Sequence, residues 1–506
     1  VTPVLTAENG HAIDAATIER QGITSLELME RAATACATGM RQALGQLANE
    51  EKVPLLILCG PGNNGGDGLV LARLFTEEGR NVRVLEYGMG SRSPDNATNY
   101  QRALAAGVAT QQLDLSAPNP YIPDNVLLID ALFGTGLSRP LTGKLAERIA
   151  EWNERSLTVW SVDLPSGLFA NRTVEGPVLR ANRTFSLGYP KLAEMVPENA
   201  AYLGEVVNLT FSLCLPPEIE AMLTDFQFTI HDARRIRKHR GVQDHKGIFG
   251  HALLVAGAHG TMGAALLSAR AALRTGTGLL TCHVPECGYD IMQSGIPEAM
   301  CETDAQPTFI SSVSELRRFN AAGIGPGIGQ HEASETAVAN FLRAVNYPVV
   351  IDADALNLLS RHPEWYELIP KGSILTPHPK EFGRLFGVSS SGYEQWEKLR
   401  RWSAEHQLLI ILKGGRTVVA DYTKPYLTFN TSGNPGMATG GSGDVLTGVI
   451  TGLLAQGYEP GDAARFGVYL HGLAGDLAAA ENSQESMLAG DIVRHLGKAY
   501  LFLGES

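Results

Sequence analysis

The stretch NPGMATGGSGDVLTGVI, residues 434–450, decides how the C-terminal half is read. Glycine and small residues fill its first part, and an apolar helical spacing begins at Val445. A glycine-rich turn opening a helix presents backbone amides, and the helix adds its positive end, so the segment is suited to phosphate oxygens. It lacks the Gly-Lys-Ser/Thr ending of a P-loop. Cationic help must therefore come from Lys413 in LKGGRT, from a bound magnesium, or from both. Asp444 is out of place in such a cradle, because its charge repels phosphate. Two roles accommodate it: capping of free helix amides, or acceptance of the proton from a hydroxyl that attacks phosphorus.

Working outward, HALLVAGA (251–258) reads as a strand, TMGAALLSARAALRTG (261–276) as a helix with small residues on its packing face, and GLLTCHV (278–284) as the next strand. Further strands are expected in YPVVIDAD (347–354), GSILTPH (372–378) and QLLIILKGG (407–415), and RTVVADYTKPYLTFN (416–430) alternates as a hairpin does. The first half repeats the logic. VPLLILCG (53–60) is a strand, PGNNGGDG a turn, LVLARLFTEEG a helix and NVRVLEYG (81–88) the following strand. Strands at 125–130, 157–163 and 183–188 extend the sheet, two of them ending in Asp130 and Asp163. In a doubly wound parallel sheet these ends gather at one edge, where ligands bind.

The chain has 506 residues, more than one ordinary core accommodates, so two α/β domains are expected, divided near Pro216-Pro217 into residues 1–218 and 219–506. A net charge of −12 argues against a nucleic-acid binder, and RRIRKHR (234–240) is expected to be a solvated helix face. The six cysteines show no Cys-x-x-Cys spacing, which points to free thiols in a reducing compartment. No apolar run reaches membrane-span length and no secretory signal is present, so the expected location is the cytoplasm.

The loop GPGNNGGDG does not have Gly-x-Gly-x-x-Gly spacing. Its Asn63, Asn64 and Asp67 either cap the following helix or bind a ligand. Asp130, Asp163 and Ser166 fall at neighbouring strand ends, and outward-pointing aspartates are costly unless they bind something. Such an oxygen-rich set suits a hard cation rather than zinc.

GPGNNGGDGLV, DALFGTGL and SVDLPSGL, in that order, resemble the NAD(P)H-hydrate epimerase family over roughly the first two-fifths of the chain. The resemblance implies a Rossmann-like three-layer αβα domain that interconverts the epimers of hydrated NADH and NADPH beside a potassium ion. It implies Asn64, Asp130 and Ser166 as potassium ligands. Asn63, Asn64, Gly65, Gly66, Asp67, Gly134, Thr135, Gly136, Leu137, Ser138, Arg139, Pro140 and Asp163 would contact the hydrated nucleotide. Asp163 is the candidate acid/base, with substrate anchoring as its other role.

HKGIFGHALLVAGAHGTMGAALLSARAALRTGTGLLT, GIGPGIG, TPHPKEFGRL, LKGGRT and NPGMATGGSGDVL resemble the ADP/ATP-dependent NAD(P)H-hydrate dehydratases, which have a ribokinase-like α/β fold. The whole chain thus resembles the bacterial bifunctional NAD(P)H-hydrate repair enzymes. Bacterial members use ADP, giving AMP and phosphate, with magnesium. By resemblance, Lys413, Gly414, Gly415, Arg416, Thr417, Asn434, Pro435, Gly436, Met437, Ala438, Thr439, Gly440, Gly441, Ser442 and Gly443 contact ADP. Ala258, Gly327, His378 and Asp444 contact the hydrated substrate, with Asp444 catalytic. Glu381 in HPKE is expected in a surface salt bridge, with a water-mediated hold on magnesium as the second reading. One departure is AHGTMGAA, where Thr261 and Met262 stand in a turn in which an aromatic residue is expected. A homo-oligomer is the expected assembly. The alternative is a ribokinase-like vitamin-precursor kinase with a regulatory or protein-binding front domain.

Overall fold

The computed structural model describes residues 1–506 except 47–52, 89–90, 117–121, 124, 314 and 505–506. It divides into two compact units, Pro3–Leu223 with Ser391–Tyr393, and Thr224–Ser390 and Glu394–Ser506 with Val1–Thr2. Both units are α/β with sheets that are largely parallel.

In the front unit the sheet runs in the order Ala109–Gln112, Val82–Glu86, Leu55–Cys59, Leu127–Ala131, Thr158–Val162, Arg183–Leu187, Glu205–Leu209, every pair parallel. Strand order reverses between Leu55–Cys59 and Leu127–Ala131, and a crevice forms beyond strand C-termini at such a point. Both strands are buried along their whole length, as strands covered on both faces are, and the one polar side chain in them is Asp130. The helices Ser25–Leu44 and Asn63–Glu77 cover one face, with Met40, Leu44, Leu69 and Phe75 in its core. The edge strands Ala109–Gln112 and Glu205–Leu209 escape the sequence reading because both are short and open to water, and the first, ATQQ, is largely polar.

In the back unit the parallel run is Leu409–Leu412, Ile374–Leu375, Val349–Ile351, Ala321–Ile324, His251–Val255, Leu279–Val284, Met300–Thr303. The hairpin strands Val418–Asp421 and Leu427–Asn430 continue it antiparallel. Order reverses between His251–Val255 and Ala321–Ile324. The sequence AAGI of Ala321–Ile324 carries almost no strand signal, yet the strand lies in the middle of the sheet. Packing explains its small residues: a Cβ on Gly323 would stand 2.4 Å from Thr451 Oγ1 on the helix Ser442–Ala455. The same helix meets Met262–Arg274 closely, since a Cβ on Gly448 would lie 2.0 Å from the Ser268 carbonyl oxygen. Two close approaches therefore fix the axis of the helix whose first turn carries Asp444.

The run 234–240 is not simply a solvated face. Lys238 Nζ donates to the carbonyls of Gln456 (3.3 Å) and Gly457 (2.6 Å), just past the end of Ser442–Ala455. Arg240 donates to Gly276 O (2.5 Å) and Arg237 to Tyr500 O (2.7 Å). Cations at helix C-termini satisfy free carbonyls and complement the dipole. All six cysteines are free thiols, and no helix among the described residues is long and apolar enough to cross a membrane.

Candidate active sites

The front site is a cleft of about 660 Å³ beyond the strand C-termini. Asn63, Asn64, Asp67, Gly134, Thr135, Gly136, Leu137 and Asp163 all line it. Gly65 and Gly66 are buried behind its wall, and Ser138, Arg139 and Pro140 continue the turn beyond its lining. The loop residues do not cap the helix Asn63–Glu77, whose N-cap is Gly62 with no side-chain cap bond. The loop is held instead by buried Asn96, which donates to Gly60 O (3.0 Å) and Gly62 O (2.8 Å).

Asp163 follows the strand Thr158–Val162 with φ 67°, a left-handed conformation unusual outside glycine. Its carboxylate pairs with Lys191 Nζ at 2.5 Å and accepts the Thr135 amide at 3.1 Å. Lys191, itself buried, also donates to Leu187 O (2.6 Å) and Ser186 Oγ (3.1 Å). Lys191 carries no motif, so sequence reasoning missed it. It also missed Asp14 and His11, which reach the cleft from the helix Ala7–Gln21.

Asp130 and Ser166 sit behind the cleft, fully buried. The four bonds on the Asp130 carboxylate come from Ser166 Oγ (2.6 Å), Ser166 N (2.8 Å), Leu132 N (3.2 Å) and Ser161 Oγ (3.2 Å). The cost of burying this aspartate is thus met inside the protein, although burial still pushes its carboxyl up. Asn64 has a buried amide nitrogen with no hydrogen-bond partner. The two ends of such an amide are interchangeable by rotation, and its oxygen turned into that place is a hard-cation donor. An oxygen-only donor of this kind is of the type that a hard cation takes.

In the back unit the expected residues also collect at strand ends. Ala258 and Gly327 flank the point where strand order reverses, joined through Thr261, whose hydroxyl donates to Gly327 O (2.7 Å) and accepts the Ala258 amide (3.1 Å). Thr261 thus makes a polar clasp where an aromatic residue was expected. His378 caps the helix Pro379–Phe386: its Nδ1 accepts the amides of Lys380 and Glu381, and Glu381 accepts the His378 amide at 2.8 Å. Glu381 is buried and lies 3.9 Å from Lys413 Nζ, so the surface salt bridge is corrected: the helix start turns this carboxylate inward.

Lys413 ends the strand Leu409–Leu412 and holds Asp352 Oδ1 at 2.8 Å. Asp352 also accepts Thr447 Oγ1 at 2.7 Å from the helix Ser442–Ala455. Despite burial, the Lys413 ammonium and these bonds hold the Asp352 carboxyl below its usual range. Ala353, next in sequence, has φ 49°. Asp352 was not among the expected site residues, although the turn ending YPVVIDAD marks its place. Among the described residues no cluster of three or more His, Cys, Asp or Glu stands ready to hold a metal, and these carboxylates already hold an ammonium.

Asp444 lies in the first turn of Ser442–Ala455, whose N-cap is Gly441 at φ 90° with no side-chain cap bond. The capping role is therefore set aside. Its carboxylate accepts no hydrogen bond from any described residue. Burial first, and the Asp352 charge second, push it up to about 6. Residues 434–443 and 413–417 border the same region: Lys413 Nζ lies 3.3 Å from the Cβ position of Gly443. Asp476 braces the turn, accepting the Gly433 amide (2.8 Å) and Asn434 Nδ2 (2.9 Å). Buried His471, another residue without a sequence signal, is close to Ser442 O at 3.0 Å, and desolvation lowers its ring to about 4, leaving it neutral.

A family model described as NAD(P)H-hydrate dehydratase matches residues 252–498, and one described as YjeF-related protein N-terminus matches residues 25–193. The chain is 35% identical over 502 residues to the bifunctional NAD(P)H-hydrate repair enzyme Nnr of Moorella thermoacetica, covering 94% of this chain and 92% of that one. The chain belongs to the bifunctional NAD(P)H-hydrate repair enzymes. The Nnr of Escherichia coli is 34% identical, with 93% and 88% covered. The crystal structure of the ADP/ATP-dependent NAD(P)H-hydrate dehydratase of Bacillus subtilis, co-crystallized with ATP/Mg2+, is 32% identical and covers 55% of this chain and 99% of its own, with a TM-score of 0.48. A match to repair enzymes that runs through both units favours NAD(P)H-hydrate repair over a vitamin-precursor kinase with a regulatory front.

Proposed function

We propose that residues 1–218 interconvert the R and S epimers of hydrated NADH and NADPH, and that residues 219–506 convert the S epimer back to NAD(P)H using ADP. In the back site the amides of residues 434–443 and the turn 413–417 bind ADP. Ala258, Gly327 and His378 orient the substrate. Asp444 takes the proton of the substrate hydroxyl as its oxygen attacks the terminal phosphorus of ADP, and AMP leaves with the electron pair of the broken P–O bond. Phosphate then departs from the ester with the C–O bond pair, pushed out by the ring nitrogen lone pair. Loss of a proton from the neighbouring ring carbon restores the double bond. Magnesium, when bound with ADP, neutralises phosphate charge.

The observation that carries this reading is the carboxylate of Asp444: partly buried, unbonded and raised to about 6, beside an amide-lined turn. A group near that value is ionised at neutral pH yet basic enough to accept a proton. In the front site we assign Asp163 as acid/base, Asn63, Asn64, Asp67 and the turn 134–140 as substrate contacts, and Asn64, Asp130 and Ser166 to a potassium ion. The ion would supply positive charge beside the substrate. The working assembly is a cytoplasmic homo-oligomer.

Incubation of the protein with hydrated NADH and ADP, then with ATP, as sole nucleotide tests the proposal. Recovery of reduced-nicotinamide absorbance with ADP, and AMP formed in equal amount, is expected. A stable phosphorylated product without recovery would reassign the chain as a kinase.

A further inference from the structure

Three carboxyl groups, Asp14, Asp67 and Asp163, share the front cleft with one ammonium, Lys191, and with His11 and Tyr189. They come from different walls: Asp14 from the helix Ala7–Gln21, Asp67 from Asn63–Glu77, Asp163 and Lys191 from the strand-end loops. Lys191 is spent on Asp163. Asp14 has no hydrogen-bond or ion-pair partner among the described residues and opens to the water of the cleft, whereas Asp67 is buried. Enclosure on its protein side, and then the Asp163 charge, push the Asp14 carboxyl up to about 6. Burial, and then the charges of Asp163 and Asp14, push Asp67 well above the usual range. Asp14, free of protein partners, and Asp163, held by Lys191, face one cleft from different walls, an arrangement in which one carboxyl can give a proton while the other takes one.

We propose that Asp14 is the proton donor of the epimerisation and works against Asp163 as base. This rests on the front cleft being the epimerase site. The epimerised carbon bears both the hydroxyl and the ring nitrogen. Asp163 takes the hydroxyl proton, the O–H pair becomes the second bond of a carbonyl, and the carbon–nitrogen bond pair passes to nitrogen. Asp14 gives that nitrogen its proton. Rotation of the freed aldehyde presents its other face, nitrogen attacks it, Asp14 takes back the nitrogen proton, and Asp163 returns its proton to the oxygen. Both groups end each cycle as they began, no water is consumed, and no oxidant or co-reactant enters.

The test uses the full chain and a mixture of R and S hydrated NADH. Epimer interconversion is followed by chromatography with the uncatalysed rate subtracted, and ADP-dependent dehydration of purified S epimer reports on the other unit. Asp14→Asn is expected to slow interconversion by about 100-fold or more, while S-epimer dehydration stays unchanged and Asp14→Glu recovers part of the loss. In the wild type the rate should fall as pH rises above about 6 and Asp14 loses its proton; this limb should vanish in Asp14→Asn. A merely structural role would not move that limb. Asp14→Asn within threefold of wild type, or slowed with the limb unchanged, overturns the proposal, as does a loss found only in Asp67→Asn. A wild-type chain that does not interconvert the epimers at all sinks the epimerase assignment itself, and the role of Asp14 with it.

Discussion

Lys413 Nζ stands 2.8 Å from Asp352 Oδ1, tying the end of Leu409–Leu412 to the end of Val349–Ile351 beneath the turn that leads to Asp444. The pair is almost closed to water on the aspartate side and partly open on the lysine side. It therefore has two effects: it holds two strand ends together, and it puts a fixed negative charge near Asp444.

Removing the cation alone leaves the Asp352 charge buried and unpaired. Lys413→Met should cost about 3 kcal/mol of stability, and adding Asp352→Asn to it should recover most of the loss. Chemical denaturation of the single and double variants checks this; additive losses would mean that the two groups are not coupled.

The raised carboxyl of Asp444 has a sign that can be tested. Its folded value of about 6 exceeds the ordinary 3.8, so the folded state binds this proton more tightly than the unfolded chain does. Its contribution to stability is fully present below pH 3.8 and is lost as pH rises through about 6. Asp444→Asn should therefore raise the Tm at pH 7 while abolishing dehydration and leaving ADP binding largely intact. A lowered Tm would show that the carboxylate serves the fold.

The same group sets a pH limit on catalysis. A base must be ionised, so dehydration of the S epimer should fall as pH drops through about 6. Stopped-flow rates at saturating ADP between pH 5 and pH 8, on the order of one reading per half unit, would display the limb. A flat profile across that window would remove Asp444 as the proton acceptor.

In the front cleft, Asp163→Ala should slow epimerisation by about 100-fold and spare dehydration of purified S epimer. Parallel assays of the two reactions decide it. A joint fall in both would break the assignment of one reaction to each segment.

Close helix packing gives a prediction away from either site. A Cβ at position 448 would lie 2.0 Å from the Ser268 carbonyl, which cannot yield without moving the helix Met262–Arg274. Gly448→Ala should lose about 1–3 kcal/mol and lower dehydration by shifting Asp444, with epimerisation untouched. Thermal unfolding and the two rate assays provide the measurement.

The order of strands and helices was legible in the residues because apolar runs, glycine turns and capping patterns are local, and so were the loops that carry Asn64, Asp163 and Asp444. The tertiary structure alone decided which groups those loops meet. Lys191 and Asp14 reach the front cleft from segments with no motif of their own, and Asp352 and Glu381, though they lie in quoted segments, close around Lys413 in a way no local pattern shows. The strand Ala321–Ile324 was likewise invisible, because its small residues answer to a helix packed against them rather than to any local preference. Local signals specify where a chain turns; the burial, charge and proton affinity of a side chain depend on neighbours distant in sequence, and those exist only once the sheets have formed.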